Sequence, residues 1–309
     1  MLTAKSISRW HYPIGILLLV LGNIAFSGKA VIIKMAYRHQ IDAYSLLALR
    51  MLFAAPFYIA LLIAQQLRPD AKKINLKQWL HISILGFLGY YIASLLDFLG
   101  LQYVTASMER LILYLYPTMV LVLSWLIFKQ KITRIQYWAL FITYGGVLLT
   151  FSGEIFAGTQ RNLPLGAALI FTCALAYAIY VVFTGKMVRE VGTWQFTCYA
   201  MLSATLGVIV QSWFHNGLAV FHYPKDVYVL SVWLAVAATV LPTFMVAEGL
   251  RRVGANDGAV IGFIGPIATI VLGYWLLGEP ITPMQLLGTA VVGAGVLLIS
   301  MKRSSPLTG

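Results

Sequence analysis

The amino-acid sequence predicts an all-α polytopic membrane protein of about ten transmembrane helices, arranged as two inverted five-helix repeats. Three observations predict this fold class. Of the 309 residues, 60% are apolar and only 10% are charged, and the mean hydropathy is +0.84. Long apolar stretches recur along the chain, and the second half repeats the first. Because soluble proteins carry roughly a quarter charged residues, most of this chain is expected to lie in lipid.

The apolar stretches have the length that a membrane-spanning helix requires, which is about 20 residues. The connections between them are short and contain Gly, Pro or charged residues, so consecutive helices should be antiparallel neighbours. No soluble domain fits between them. The predicted spans are 12–33, 43–66, 77–103, 107–128, 135–152, 163–187, 194–214, 227–249, 257–277 and 284–301.

The formal net charge of +12 comes from Lys and Arg residues in the short connections. This distribution is typical of the positive-inside rule, and it argues against a nucleic-acid partner. Alternate connections hold roughly fifteen and five of these cations, which predicts a bacterial-type inner (plasma) membrane protein with both termini in the cytoplasm. The richer set is Lys5, Arg9, Arg68, Lys72, Lys73, Lys77, Lys129, Lys131, Arg134, Lys186, Arg189, Arg251, Arg252, Lys302 and Arg303, and the poorer set is Lys34, Arg38, Arg110, Arg161 and Lys225.

The internal repeat is visible without gaps. Residues Gly100–Phe151 align with Gly249–Ser300 with about fifteen identities in some fifty positions, more than shared hydrophobicity would give. The front parts match more weakly, at Pro13-Ile-Gly15 and Pro164-Leu-Gly166. The sequence therefore predicts two homologous units.

The two units should face in opposite directions, because each contains five spans, an odd number. The predicted boundaries are 1–156 and 157–309. In one pair of aligned loops, Lys129-Gln-Lys131-Ile-Thr-Arg134 corresponds to Gly278-Glu-Pro280-Ile-Thr-Pro283, so the cations are missing from the copy predicted to face outward. Inverted repeats of this kind are typical of carriers that open alternately to the two sides.

Several motifs resemble those of a known family. They are Gly254-Ala-Asn256, Pro266, Gly278-Glu279-Pro-Ile-Thr282-Pro-Met-Gln285-Leu-Leu-Gly288 and Gly293-x-Gly295-Val. With these residues the chain resembles a ten-helix, EamA-type member of the drug/metabolite transporter superfamily. The resemblance implies a central cavity lined by helices 1, 3 and 4 and by helices 6, 8 and 9. In the first half, Gln130 stands where the family commonly has a loop glutamate.

Ionisable side chains within the spans are candidate functional residues, because an unpaired charge in lipid costs several kcal/mol. In the first repeat, three cations face two carboxylates, so one cation is in excess. We expect Lys29 to meet an anionic group of the substrate, such as a carboxylate, while Asp97 or Glu109 exchanges a proton. The alternative is a set of structural ion pairs, with Arg50 extending to the membrane interface. The candidates are Lys29, Arg50, Asp97, Glu109, Arg110 and, nearer the cytoplasmic end, Glu248.

Aromatic and proline residues complete the candidate site. Tyr90, Tyr114 and Tyr116 are predicted to line an amphipathic pocket wall, with packing alone as the alternative. Three prolines deep within spans each free a backbone carbonyl and bend a helix, so they are predicted as hinges or gate-shaping kinks. A purely structural bend is the alternative. These prolines are Pro117, Pro242 and Pro266.

The predicted function is secondary transport of a small metabolite, an amino acid or another small organic compound, by alternating access with protons as a candidate coupling ion. The five histidines fall at span ends or in loops, and no nucleotide-binding or Gly-x-Ser-x-Gly motif is present. We therefore expect no metal, no cofactor and no catalytic residue. A passive channel and a membrane-embedded transferase using Asp97 and Glu109 stay open as alternatives. The expected partners are the substrate, the lipid bilayer and protons.

Overall fold

A computed structural model describes residues 4–67, 74–157 and 162–301. Within these ranges the chain is built of ten long helices, labelled α1 to α10 in chain order, and contains no β-strand. The uninterrupted helices are α1 (Ala4–Tyr37), α2 (Ala43–Gln66), α5 (Arg134–Ala157), α6 (Leu163–Val191), α7 (Thr193–Asn216) and α10 (Pro283–Met301). The interrupted helices are α3 (Leu76–Gly86, Phe87–Ile92 and Ala93–Gly100), α4 (Ala106–Leu113 and Tyr116–Phe128), α8 (Lys225–Ala235, Val236–Val240 and Leu241–Val253) and α9 (Ala255–Gly262, Ile264–Leu272 and Gly273–Leu277).

The predicted all-α membrane fold is confirmed. Among the described residues, nine helices are long and apolar enough to cross a membrane, and α10 has a shorter apolar core at Pro283–Leu298. The first helix is longer than its predicted span of 12–33, because a helix can continue beyond the apolar stretch. Several cations used to predict the orientation lie outside the described residues. These are Arg68, Lys72, Lys73, Arg161, Lys302 and Arg303.

Polar side chains fix the starts of three helices in the first repeat. Asp42 Oδ1 accepts hydrogen bonds from the backbone N–H groups of Tyr44 and Ser45 at the start of α2. Asn75 and Gln78 form a reciprocal capping box at the start of α3. The Thr105 hydroxyl caps α4. Such caps satisfy N–H groups that have no partner within the helix, so the short loops determine where these helices begin.

The interruptions occur at aligned positions of the two repeats. Both third helices contain a π-helical segment, Phe87–Ile92 in α3 and Val236–Val240 in α8. The ungapped alignment, continued toward the N-terminus, places Phe87 opposite Val236. Both fourth helices are broken as well, and the break at Tyr114 in α4 aligns with the break at Phe263 in α9. The repeat seen in the sequence is therefore also a repeat of helix geometry.

The helices of the two repeats pack in exchanged pairs. Helix α1 packs against α8, and its counterpart α6 packs against α3. Helix α2 packs against α7, and α5 against α10. The aligned residues Tyr114 and Phe263 approach each other, with ring centroids 6.3 Å apart. These two aligned residues lie close together where α4 and α9 approach each other.

Close approach of α5 and α10 depends on glycine. A Cβ atom on Gly146 would lie 2.8 Å from the Val292 backbone nitrogen and 2.9 Å from the Gly288 carbonyl oxygen. Real Cβ contacts to backbone atoms do not come so close, so only glycine fits here. Small residues commonly allow helices in membranes to pack backbone to backbone, and these two helices form the flank of the bundle.

Candidate functional site

Three charged side chains meet inside the first repeat. Lys29 on α1 donates a hydrogen bond to Asp97 Oδ2 on α3 at 2.6 Å, and its Nζ lies 3.0 Å from Glu109 Oε1 on α4. The side chains of Asp97 and Glu109 are 2% and 1% exposed. We call these three residues the Lys29 cluster. When all three groups are ionised, one ammonium group faces two enclosed carboxylates, and one negative charge is in excess.

The carboxylates of the Lys29 cluster have few other partners. Asp97 Oδ1 and both carboxylate oxygens of Glu109 are enclosed and accept no hydrogen bond, so the 3.0 Å approach of Glu109 to Lys29 is an ionic contact without hydrogen-bond geometry. Enclosed ionised carboxylates without hydrogen bonds are unfavourable. A proton on either acid would remove the excess charge and supply a hydrogen-bond donor. The arrangement can therefore take up and release a proton.

Arg50 on α2 is held by neutral groups. Its Nε donates to Thr239 Oγ1 at 2.9 Å and its Nη1 donates to Ser94 Oγ at 3.4 Å. The guanidinium carbon lies 5.6 Å from the ring centroid of Phe98, in the range of a cation–π contact. Arg50 is only 7% exposed. The expected extension of this side chain to the interface is therefore wrong, because polar and aromatic partners inside the bundle hold it.

Arg110 on α4, like Arg50, has no carboxylate partner within the described ranges. Among the described side chains, no carboxylate lies within ion-pair distance of it, and its enclosed Nε has no hydrogen-bond partner. The guanidinium carbon lies 5.7 Å from the ring centroid of Tyr114. Lys29 thus faces both carboxylates, whereas Arg50 and Arg110 face none among the described side chains, and of these two only Arg110 has an enclosed nitrogen without a hydrogen-bond partner. The role of Lys29 as a substrate ligand stays a prediction.

The charged residues belong to the first repeat alone. In the alignment, Asp97, Glu109 and Arg110 stand opposite Val246, Gly258 and Ala259. The same helix geometry thus forms in the second repeat without any of these charges. The fold therefore does not need them, which favours a functional role over a packing role.

The predicted tyrosines have different environments. Tyr90 on α3 accepts a hydrogen bond from the Tyr180 hydroxyl on α6 at 3.1 Å. Tyr116 is exposed and meets the Tyr177 ring edge-on, with centroids 5.3 Å apart. The Tyr177 and Tyr180 rings are neighbours in turn. An aromatic wall therefore joins α3, α4 and α6, although sequence analysis named only its first-repeat members.

The three predicted prolines lie at or near irregular points of their helices. Pro266 has no N–H group, so the carbonyl of Gly262, one turn earlier in α9, cannot be satisfied by the helix. The Tyr114 hydroxyl donates a hydrogen bond to that carbonyl. Pro242 directly follows the π-helical segment of α8, and Pro117 lies just after the break in α4. All three prolines thus lie at irregular points of helices, and their role in gating stays a prediction.

One end of the bundle is closed by a polar network that sequence analysis did not find. Both carboxylate oxygens of Glu279 accept the backbone N–H of Ala106 at the start of α4, at 2.9 and 3.1 Å. Lys34 Nζ lies 3.6 Å from Glu279 and donates to the Val104 carbonyl at 2.6 Å. We call Lys34, Ala106 and Glu279 the polar latch. A carboxylate at a helix N-terminus is stabilised by the free N–H groups and the helix dipole.

Two further contacts stabilise the latch end. Arg38 Nη2 donates to the Leu277 carbonyl at 2.9 Å, and the Thr105 hydroxyl donates to Glu154 at 2.8 Å. These contacts join α1, α4, α5 and the end of α9. The signal for this network was present in the sequence at Glu279, but it was interpreted only as a family motif.

The opposite end contains a cavity of about 750 Å³, which we call the Gln130 pocket. It lies between the start of α3, the end of α4 and the end of α6. Its lining includes Lys77, His81 and Arg189. A smaller cavity of about 330 Å³ lies at the latch end beside Lys34. Among the residues that the structure describes, no three His, Cys, Asp or Glu side chains are arranged to hold a metal ion.

Comparisons with known proteins agree with this architecture. The model of the EamA-like transporter family matches residues 13–152 and again residues 164–301. The chain is 31% identical to the uncharacterized transporter YcbK of Bacillus subtilis over 283 residues, covering 89% of this chain and 88% of the relative. It is 26% identical to the uncharacterized transporter sll1319 of Synechocystis over 324 residues, covering 96% and 95%. One solved crystal structure superposes with a TM-score of 0.64 at 16% identity, covering 96% and 99%, which concerns the fold alone.

Proposed function

Since this chain belongs to the EamA-like transporter family, we propose that it is a secondary carrier that moves a small metabolite across the inner membrane by alternating access, coupled to protons. Its similarity to named transporters supports transport over an enzymatic role. The observation that carries the proposal is a difference between the two ends of the bundle at residues that the repeat makes equivalent.

Residues at one end make polar contacts, whereas the residues equivalent to them at the other end line a cavity. In the alignment, Gln130 corresponds to Glu279 and Phe128 to Leu277. Continuing the match of Pro13 with Pro164 places Gly185 opposite Lys34. At the latch end, Lys34 approaches Glu279, and the Leu277 carbonyl accepts a hydrogen bond from Arg38. The counterparts of Lys34, Leu277 and Glu279 all line the Gln130 pocket. A carrier that exchanges the conformations of its repeats would open one end as it closes the other.

Inversion of the repeats supports this exchange. If residues 1–156 and 157–309 form two five-helix units of opposite orientation, exchange of their conformations converts the closed latch end into an open end. By the positive-inside rule, the Gln130 pocket then faces the cytoplasm together with both termini. Its lining residues Lys77 and Arg189 belong to the cation-rich set of connections.

The Lys29 cluster is the proposed coupling site. Its excess negative charge is enclosed between three helices, so protonation changes the stability of that arrangement. Helix α3, which carries Asp97, contains a π-helical segment, and α4, which carries Glu109, is broken. Such irregular segments frequently lie at functional sites in membrane carriers. We place the substrate beside this cluster, with Tyr90, Tyr114 and Tyr116 as wall residues and with Pro117, Pro242 and Pro266 as gating residues.

The experiment is transport by the purified full-length protein in proteoliposomes. Compounds that raise the unfolding temperature in a screen of amino acids, organic acids and cationic metabolites are selected first. Each selected compound is then added while a fluorescent dye inside the vesicles reports the internal pH. The proposal predicts saturable substrate movement that a pH gradient drives and that protein-free vesicles lack. Non-saturating current that is independent of pH would instead indicate a channel.

A further inference from the structure

We infer that Arg110 is the residue that binds the substrate, and that it does so through a carboxylate group of that substrate. This inference rests on the proposed function, because it assigns the substrate class of the same central site. Three observations support it independently: the distribution of partners among the three cations within the bundle, the position of Arg110, and the space that Gly265 leaves for its side chain.

The partners of the three cations within the bundle single out Arg110. Lys29 already faces two carboxylates, at 2.6 and 3.0 Å. Arg50 donates to two hydroxyl groups and contacts an aromatic ring. Arg110 has neither a described counter-ion nor a hydrogen-bond partner for its enclosed Nε. With three cations and two carboxylates in this region, one bound carboxylate would balance the charge. Arg50 is held by hydroxyl groups and a ring, whereas the half-buried Arg110 has an enclosed Nε without a described acceptor. An anion would both accept a hydrogen bond from this Nε and offset the charge.

The position of Arg110 is that of a central site. It lies one turn before the break in α4, and its guanidinium lies beside Gly265, just after the break in α9. The aligned residues Tyr114 and Phe263 meet at the same level, where the two repeats cross. In carriers built from inverted repeats, the substrate lies at the interface of the repeats, between discontinuous helices. A cation at this crossing can follow the substrate through both conformations.

Gly265 leaves the space that the guanidinium occupies. A Cβ atom on Gly265 would lie 2.7 Å from Nη2 and 3.3 Å from Nε of Arg110. The aligned residue in the first repeat is Tyr116, so the repeat itself does not require glycine at this position. The Gly265 carbonyl accepts hydrogen bonds from Ser27 and Thr269, which fix the local backbone. The planar guanidinium offers N–H donors in a fork that matches a carboxylate in two parallel hydrogen bonds.

The test compares carboxylates with their neutral amides. The full-length protein in lipid nanodiscs is heated with succinate or succinamide, glutamate or glutamine, and benzoate or benzamide at equal concentrations. We expect the carboxylate of at least one pair to raise the unfolding temperature more than its amide does. Arg110→Gln should remove this difference and weaken binding by at least about tenfold, since hydrogen bonds to charged groups contribute about 1.5–3 kcal/mol.

Two further variants separate binding from folding. Gly265→Ala retains the charge but displaces the guanidinium, so it should also reduce the preference for the carboxylate. Arg251→Gln removes a cation that is paired only within α8, and it should leave the preference unchanged. The inference is wrong if the unmodified protein shows no preference for any carboxylate, or if Arg110→Gln retains it. Proton-coupled transport of a neutral or cationic compound would overturn this inference while supporting the proposed function.

Discussion

Replacing Glu279 with Gln should shift the protein toward the conformation in which the latch end is open. The change retains an oxygen that can accept the Ala106 N–H, but it removes the charge that Lys34 and the start of α4 both face. Because Gln has nearly the shape of Glu, the packing around residue 279 should stay as it is. The variant therefore isolates the electrostatic contribution of the polar latch.

The size of the effect follows from the contacts. A hydrogen bond to a charged group contributes about 1.5–3 kcal/mol, and a neutral one about 0.5–1.5 kcal/mol. The ion pair with Lys34 is partly solvated, with side chains 19% and 10% exposed, so it adds less than about 1 kcal/mol. Loss of about 1–2 kcal/mol changes the ratio of open to closed molecules by about five- to thirtyfold.

The assay uses a reporter cysteine behind the latch. Ser107 is 2% exposed and packs against Gly273 on α9. A Cβ atom added to Gly273 would lie 3.7 Å from the Ser107 Oγ. Opening of the latch would separate these helices and expose the residue. Ser107→Cys is introduced with Cys173→Ala and Cys198→Ala, which remove the two buried native thiols. The rate of alkylation by a charged maleimide in nanodiscs then reports the open population from either side of the membrane.

The control is Glu248→Gln at the opposite end. Glu248 is paired only with Arg251 and Arg252 of its own helix, so this loss of charge should leave the reporter rate unchanged. An alkylation rate in Glu279→Gln within twofold of the parent, or an equal increase in Glu248→Gln, would refute the role of the polar latch. Lys34→Met should raise the rate in the same direction as Glu279→Gln.

Three further predictions concern other parts of the molecule. Gln130→Glu should raise the alkylation rate of the reporter cysteine, because it places at the Gln130 pocket the acid that Glu279 supplies at the latch end and so favours closure of the pocket. An unchanged rate would contradict exchange of conformations between the repeats. Glu109→Gln should leave Lys29 and Asp97 as a neutral pair. It should abolish substrate transport driven by a pH gradient without lowering the unfolding temperature, and retained proton coupling would exclude Glu109 as the coupling residue. Burial opposes ionisation of Asp42, but hydrogen bonds from Ser45, Tyr223 and Tyr44 outweigh it and lower the pKa below its ordinary value of 3.8. Above about pH 4, the parent should therefore have a higher unfolding temperature than Asp42→Asn. This difference should disappear as the pH falls through the folded-state pKa of Asp42, which a series of unfolding temperatures against pH would show.

The helices could be predicted because few backbone structures are stable in lipid. Every backbone polar group must be satisfied within the membrane, so an apolar stretch of about 20 residues becomes a helix. The breaks at Tyr114 and Phe263 had a partial signal in Pro117 and Pro266. The π-helical segment of α3 had no such signal, because Phe87–Ile92 contains no residue that requires that geometry.

Sequence analysis could predict which charged residues lie within the bundle, but not which of them form ion pairs. Charges within apolar stretches are conspicuous in a sequence, and this identified Lys29, Asp97, Glu109 and Arg110. Their partners depend on how α1, α3 and α4 pack, which the sequence spacing does not specify. The count of three cations against two carboxylates was sufficient to predict an excess cation. Distances between helices were needed to find that Lys29 faces both carboxylates and that Arg110 faces none among the described residues.

The molecule combines a symmetric scaffold with an asymmetric distribution of charge, and transport needs both. Exchange of two equivalent repeats requires similar geometry, which the matched helix breaks provide. Coupling requires that the two conformations differ in their response to protons and substrate, because a ligand shifts an equilibrium only by its differential affinity. Here the Lys29 cluster and Arg110 lie in one repeat, and the acid of the polar latch lies in the other. The charge of Glu279 stabilises closure of the latch end. The opposite end lacks this electrostatic contribution, because the equivalent residue there is Gln130. The unliganded protein should therefore rest with the Gln130 pocket open, and binding at the centre must overcome the polar latch to complete the cycle.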